Sequence, residues 1–172
     1  LFFENVRVPA ENLVGAEGQG FKNAMGVLNL NRPTVSAASV GIAQGALDAA
    51  MAYAKDRVQF GQPIANFQLV QAMLADMAIQ IEAARALLYK VTAFIDRDPT
   101  HPKVPMYSSM IKTFASDMAM KVTTDAVQVF GGAGYLQDHP VERYMRDAKV
   151  CQIYEGTNQI QRLIIARAML KD

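Results

Sequence analysis

Apolar residues recur every three or four positions over three long stretches of this chain, and the places where that rhythm breaks mark its elements. From Phe67 to about Asp96, the residues Leu69, Met73, Met77, Ile81, Ala84, Leu88, Val91 and Ile95 keep a helical period for roughly eight turns. No Gly or Pro interrupts that run, and "DRDPTHPKVP" stops it. A second long helix is predicted from about Met106 to Phe130, with Met110, Phe114, Met118, Val122, Ala126 and Val129 on one stripe and "GGAG" as its terminator. Ahead of both, Pro33 fits the first turn of a helix reaching about Arg57, whose inward face is Val35, Ala38, Ile42, Ala46, Ala49 and Tyr53. The many alanines of that helix, with Gly41 and Gly45, allow close approach of a neighbour. A shorter helix from Phe21 to Leu30 precedes it, entered from the glycine-broken "GAEGQGF". Two more short helices are predicted, from His139-Pro140 to about Val150 and from near Thr157 to Met169.

The opening "LFFENVRVPAENLVG" alternates apolar and polar residues, as a strand does, and no convincing strand follows it. The pattern as a whole predicts an all-α, up-and-down four-helix bundle with additional short helices, preceded by the remnant of a strand. Residues 1–15 form the end of something earlier and a linker, residues 16–172 the helical domain, and the chain reads as a piece of a longer protein.

Composition narrows the function classes. With 51% hydrophobic residues in 172, a sizeable core can be buried. Seventeen basic residues nearly balance 16 acidic ones, and no basic run offers a nucleic-acid or anionic membrane surface. A single cysteine, Cys151, excludes an internal disulfide and fits a reducing compartment, and two histidines are too few for a structural zinc site. The unbroken apolar stretches are shorter than the ~20 residues of a membrane span. The methionines, at helical spacing, read as adaptable core packing.

The residues that could carry chemistry cluster at element ends. In "CQIYEGTNQIQR", Glu155 stands on a polar segment between two helical patterns, beside Gly156, where a ligand could approach the backbone. Two readings are open: a helix-start carboxylate next to a Thr157 cap, the simpler one on these residues alone, or a general base half shielded by Ile153 and Tyr154. Arg57, Gln59 and Phe60 offer a guanidinium, an amide and an aromatic face at a helix end, or simply a helix terminus and a core ring. Gln128 with Gly131 and Gly132 offers an amide and open backbone, or an ordinary glycine cap. Arg32, flanked by Asn29 and Asn31, could bind a substrate or close a turn.

Together, "NRPTVSAASVGIAQGALDAA", "YAKDRVQFGQPI", "FQLVQAMLADM", "DAVQVFGGAGY", "PVERYMRDAK" and "IYEGTNQIQR" resemble the C-terminal helical domain of flavin-dependent acyl-CoA dehydrogenases, in the family's order from Gly15 to Arg167. The resemblance implies a four-helix bundle preceded by the last piece of a middle β-domain. It implies α,β-dehydrogenation of an acyl-CoA thioester to the trans-2-enoyl-CoA, with a carboxylate taking the α-proton and the β-hydrogen leaving as hydride to the flavin of FAD. In short- and medium-chain members the base is the Glu of YEG, matching Glu155, and its N–H helps polarise the thioester carbonyl. Long-chain and isovaleryl-type relatives place the base at the position of Asn31, which cannot serve as a carboxylate does.

By the same resemblance, FAD contacts fall on Arg57, Gln59, Phe60, Gln68, Gln128, Gly131, Gly132, Thr157 and Gln159, and substrate contacts on Asn29, Arg32 and Gly156. Many relatives carry Asp or Glu where this chain has Asn29 or Asn31. The first FAD contacts reach a neighbouring subunit's cofactor, implying a dimer of dimers, with an electron-transfer flavoprotein as acceptor. The setting implied is the mitochondrial matrix in a eukaryote or the cytoplasm in a bacterium. An oxygen-using acyl-CoA oxidase, and an inactive helical assembly module for this chain alone, are the competing readings.

Overall fold

A computed structural model describes residues 1–171. Five helices form the body: α1 Gly20–Asp56, α2 Gln68–Arg97, α3 Val104–Phe130, α4 Val141–Cys151 and α5 Asn158–Met169. Helix α3 lies at the centre and packs against each of the other four. It is buried on nearly every side, which its small residues permit: Ala115, Ala119 and Ala126 let neighbours approach. The hydroxyls of Ser116 and Thr123 fold back onto the carbonyls of Lys112 and Ala119, at 2.7 and 2.8 Å.

The all-α bundle is as expected, with corrections at its edges. The short helix and the Pro33 helix are one element of 37 residues, α1, and Pro33 lies inside it and is buried. Proline has no N–H to return to the carbonyl of Asn29, so the turn carrying Asn29, Asn31 and Arg32 lacks one rung of its ladder. The buried stripe of α1 is also rotated from the expected one. It is Val40, Ala43, Ala46, Leu47, Ala50 and Ala54, while Ala38 is exposed. The alanines make the close approach, as expected, but the two glycines do not share in it: nothing lies near Gly41, and Gly45 faces only the Tyr144 ring.

On α2 and α3 the predicted stripes hold except at Leu69, at the start of α2, and at Phe114, within α3, which are exposed. Of the methionines only Met77 and Met118 are fully buried. Helix α1 is long and apolar enough to cross a membrane by length and composition. Its buried face is spent on α3 and α2, as in the core helix of a bundle.

No strand forms over residues 1–15, where the described chain has one 3-10 turn, Ala10–Asn12, and is exposed throughout. A strand needs a ladder partner, and the helices offer none. The only ladder among the described residues was not expected: β1 Val58–Gln59 pairs antiparallel with β2 Gln62–Pro63. Phe60 and Gly61 join them with φ of 52° and 78°, the pair of positive values that a two-residue type I′ hairpin requires. At that end of the bundle Tyr53 stacks on Phe130 with centroids 4.0 Å apart, and His139 meets both edge-on or tilted.

Candidate active site

Helix α4 ends in a tight turn, with the N–H groups of Ile153 and Tyr154 both donating to the Val150 carbonyl, at 2.9 and 3.0 Å. The next two residues are left-handed: Glu155 at φ 57° and Gly156 at φ 90°. That conformation is costly for Glu and free for Gly. Thr157 then caps α5, its hydroxyl accepting from the Ile160 N–H at 3.4 Å, as the sequence predicts. A methyl group added at Gly156 would stand 2.5 Å from the Gln161 amide nitrogen, so a larger residue must displace that amide as well as adopt a positive φ.

The segment 155–156 is gripped by side chains from three helices. Arg32 Nε donates to the Glu155 carbonyl at 3.3 Å, and Gln161 Nε2 donates to the carbonyls of Glu155 and Gly156 at 3.0 and 3.1 Å. Lys112 Nζ donates to the Gly156 carbonyl at 2.9 Å and to Asn158 Oδ1 at 2.7 Å. The Glu155 carboxylate is held at one oxygen only: Asn31 Nδ2 donates to Oε1 at 3.0 Å, while buried Oε2 has no partner. Among the described residues the Glu155 N–H also has no acceptor. Asn29 Oδ1 accepts from Arg32 Nη1 at 2.7 Å and so fixes the guanidinium.

Two buried cations face this loop. Burial lowers the pKa of Arg32, and the Glu155 charge opposes that. Burial likewise pushes Lys112 down to about 8, against the pull of Cys151, Asp117 and Glu155 and with the push of Arg32. Tyr154 is pushed up to about 12, first by burial and then by its contact with Cys151. Cys151 is a buried free thiol, with its Sγ 3.4 Å from the Tyr154 hydroxyl. Ile153 and Tyr154, expected to shield Glu155, are 54% and 37% exposed, and Asn31 and Arg32 cover the loop instead.

Of the sequence-predicted residues, Asn29, Arg32, Glu155 and Gly156 thus come together. A second group lies elsewhere. Arg57, Gln59, Gly131 and Gly132 share a surface cavity of about 440 Å³ with Tyr53 and Phe130. No atom lies within 4 Å of where a side chain would begin at Gly131 or Gly132, so their backbone is open to a ligand. Phe60 is 93% exposed at the hairpin tip, near Phe67, and does not pack in the core. Gln68 opens α2 and Gln128 lies in the last turn of α3, both exposed and outside that cavity's lining. Thr157 and Gln159 line a separate hollow with Asp117, Lys149 and Arg162.

Sequence reasoning missed the support behind the loop. Lys112 is 1% exposed, Gln161 is fully buried, and Asn158 joins Lys112, Ser116 and Asp117. Asp117 also accepts from Gln152 and pairs with Arg162 at 2.6 Å. The signal was one lysine in the otherwise uncharged opening of α3, followed at the next turn by Ser116-Asp117.

The model of the acyl-CoA dehydrogenase C-terminal domain matches residues 18–170. The chain belongs to the acyl-CoA dehydrogenase family. The probable acyl-CoA dehydrogenase FadE25 of Mycobacterium tuberculosis is 58% identical over 171 residues, which is 99% of this chain and 43% of that protein. The solved butyryl-CoA dehydrogenase of Megasphaera elsdenii superposes with a TM-score of 0.91 at 50% identity, over 98% of this chain and 43% of that one. The acyl-CoA dehydrogenase of Bacillus anthracis, solved in complex with FAD, superposes at 0.89 with 33% identity, over 95% of this chain and 31% of that one. This acyl-CoA dehydrogenase domain therefore spans less than half the length of these relatives.

Proposed function

We propose that the protein containing this chain is an FAD-dependent acyl-CoA dehydrogenase forming trans-2-enoyl-CoA, and that Glu155 is the base that removes the α-proton. The observation carrying this reading is the Glu155 carboxylate itself. It is held in a strained left-handed position, anchored through Oε1 to Asn31, with a buried Oε2 left without a partner. A buried acceptor without a donor is costly and calls for an explanation, and a base waiting to take a proton supplies one.

Oε2 is the atom that takes the proton, and the Asn31 bond keeps the carboxylate aimed while it does so. The unused N–H of Glu155 is the donor offered to the thioester carbonyl, whose polarisation acidifies the α-carbon. Arg32, fixed by Asn29, supports the loop and borders the substrate. Residues fit for FAD are present: the guanidinium of Arg57, the amide of Gln59 and the open backbone at Gly131–Gly132 suit a diphosphate. FAD, when bound, supplies the hydride acceptor. The exposed ring of Phe60 and the separation of this cavity's lining from the Glu155 cluster support a cofactor shared between subunits of a dimer of dimers.

An electron-transfer flavoprotein is the proposed acceptor. The cytoplasm of a bacterium, or the matrix of a mitochondrion, is the proposed setting. The 172 residues alone are expected to give no acyl-CoA-dependent dye reduction.

In the full-length protein, Glu155→Gln should slow anaerobic flavin reduction by acyl-CoA on the order of 10²- to 10⁴-fold while FAD stays bound. Wild-type reduction would remove Glu155 as the base. Rapid steady turnover of the unmodified protein with oxygen alone would replace the dehydrogenase reading by an oxidase.

A further inference from the structure

The loop bearing Glu155 has no regular backbone ladder, yet it holds two consecutive left-handed residues. Its carbonyls are taken by side chains that come from other elements. We propose that Lys112 and Gln161 are positioning residues for the base: they clamp the carbonyls of Glu155 and Gly156 from beneath and so hold the carboxylate at its working angle.

The geometry carries this. Gln161 lies in the first turn of α5 and spans both carbonyls with one amide nitrogen. Lys112 reaches from α3 to the Gly156 carbonyl and, through Asn158 Oδ1, to the first residue of α5. Ser116 and Asp117 accept from Asn158 Nδ2 at 2.8 and 2.7 Å, which orients that amide with its oxygen toward Lys112. Each element around the loop is therefore tied to it: α1 through Arg32, α3 through Lys112 and α5 through Gln161. Fully buried Lys112 and Gln161 have no solvent-facing task, and a lysine in the core is costly unless its charge is used.

The Lys112 ammonium also brings positive charge to the loop, at the Gly156 carbonyl, and interacts with the Glu155 charge. The charged and titratable groups facing it are Arg32 from α1, Asp117 on α3, Cys151 from α4 and Glu155 on the loop. Arg162 of α5 is engaged by Asp117. Removing this cation favours the protonated carboxyl, so the pH midpoint of proton abstraction moves up. A role confined to stability would leave that midpoint where it is.

The test uses full-length, FAD-loaded protein and measures anaerobic flavin reduction at saturating acyl-CoA across pH. Lys112→Met should lower the limiting rate about tenfold or more and raise the midpoint, since small misplacement of a reacting group is expensive in rate. Lys112→Gln, which keeps a donor without the charge, should recover part of the rate and none of the midpoint. Gln161→Met should lower the rate without moving the midpoint. A wild-type rate and midpoint in Lys112→Met would overturn the clamp. Should that variant fail to fold or to hold FAD, a wild-type rate in Gln161→Met would overturn it equally, and a slowed one would support it. The inference rests on Glu155 as the base. Normal reduction in Glu155→Gln would remove that reading, whereas full activity in the clamp variants beside an inactive Glu155→Gln would remove the clamp alone.

Discussion

Two places in this chain use the same local solution, a bulky left-handed residue followed by a left-handed glycine: Phe60-Gly61 at 52° and 78°, and Glu155-Gly156 at 57° and 90°. At the hairpin the backbone closes on itself: Val58 faces Pro63, and the Ile64 N–H donates to the Arg57 carbonyl at 2.8 Å. The Phe60 ring is left 93% exposed, and nothing lies within 4 Å of a side chain at Gly61. At the α4–α5 loop one backbone bond, from the Asn158 N–H to the Gln152 carbonyl at 3.0 Å, spans the turn, but the carbonyls of Glu155 and Gly156 are held by side chains, and the space at Gly156 is filled by Gln161. The strain is alike, but the support differs. One site presents a ring outward to whatever comes, and the other is fixed from within a single chain before any ligand arrives. A proton must move along a defined line, so it calls for the second kind of support. In the proposed function, a cofactor edge shared between subunits is served by the first.

The comparison breaks most readily at the two glycines. Alanine at either must adopt a positive φ, which costs about 1 kcal/mol or more. At Gly61 that is the whole expected loss, because the space is open. At Gly156 the added carbon also displaces the Gln161 amide, and losing its hydrogen bonds to two part-buried carbonyls that keep Arg32 and Lys112 costs about 0.5 to 1.5 kcal/mol more. Urea unfolding of the full-length variants should rank Gly156→Ala well below Gly61→Ala. Only Gly156→Ala should slow flavin reduction beyond about tenfold. Equal losses at both positions would mean that the packed loop is no more specified than the hairpin.

A smaller effect separates the two ends by function. Arg57→Ala removes a charged donor from the open cavity without touching the Glu155 cluster. A charge-assisted hydrogen bond is worth about 1.5 to 3 kcal/mol, so FAD retention should weaken at least about tenfold. In variant protein saturated with FAD, the limiting rate of reduction and its pH midpoint should stay at wild-type values. A shift in that midpoint would mean that the two regions are not separable.

The helices were legible because burial writes a period into sequence: Met77, Ile81, Ala84, Leu88 and Val91 were named correctly from spacing alone. The start of α1 was misplaced because Pro33 mimics a first-turn proline, and here tertiary packing overrides that local preference. Glu155 could be found only through the residues around it, since an isolated carboxylate before a capped helix has an ordinary explanation. The clamp left one trace in the sequence, a lone lysine in the uncharged opening of α3, and nothing that tied it to the loop. Lys112 and Gln161 lie 43 and six positions from Glu155 in the chain, and no local rule relates their spacing to a loop carbonyl. Only the fold brings α3 beneath the turn.

The smallest effect tests whether the loop is held by the start of α5 or only by the side chains that α5 carries. Thr157 caps that helix through a 3.4 Å hydrogen bond to the Ile160 N–H, long enough to be weak. Thr157→Ala should therefore cost only about 0.5 kcal/mol, the low end for a lost cap. Asn158 and Gln161 would keep their partners in α3 and the loop, so the variant should reduce its flavin at the wild-type rate once saturated with FAD. Thr157→Ser should restore the stability. If Thr157→Ala instead slows reduction as much as Gln161→Met, the fraying of one helical turn is enough to release the Glu155 carboxylate, and its position depends on the helix as a whole.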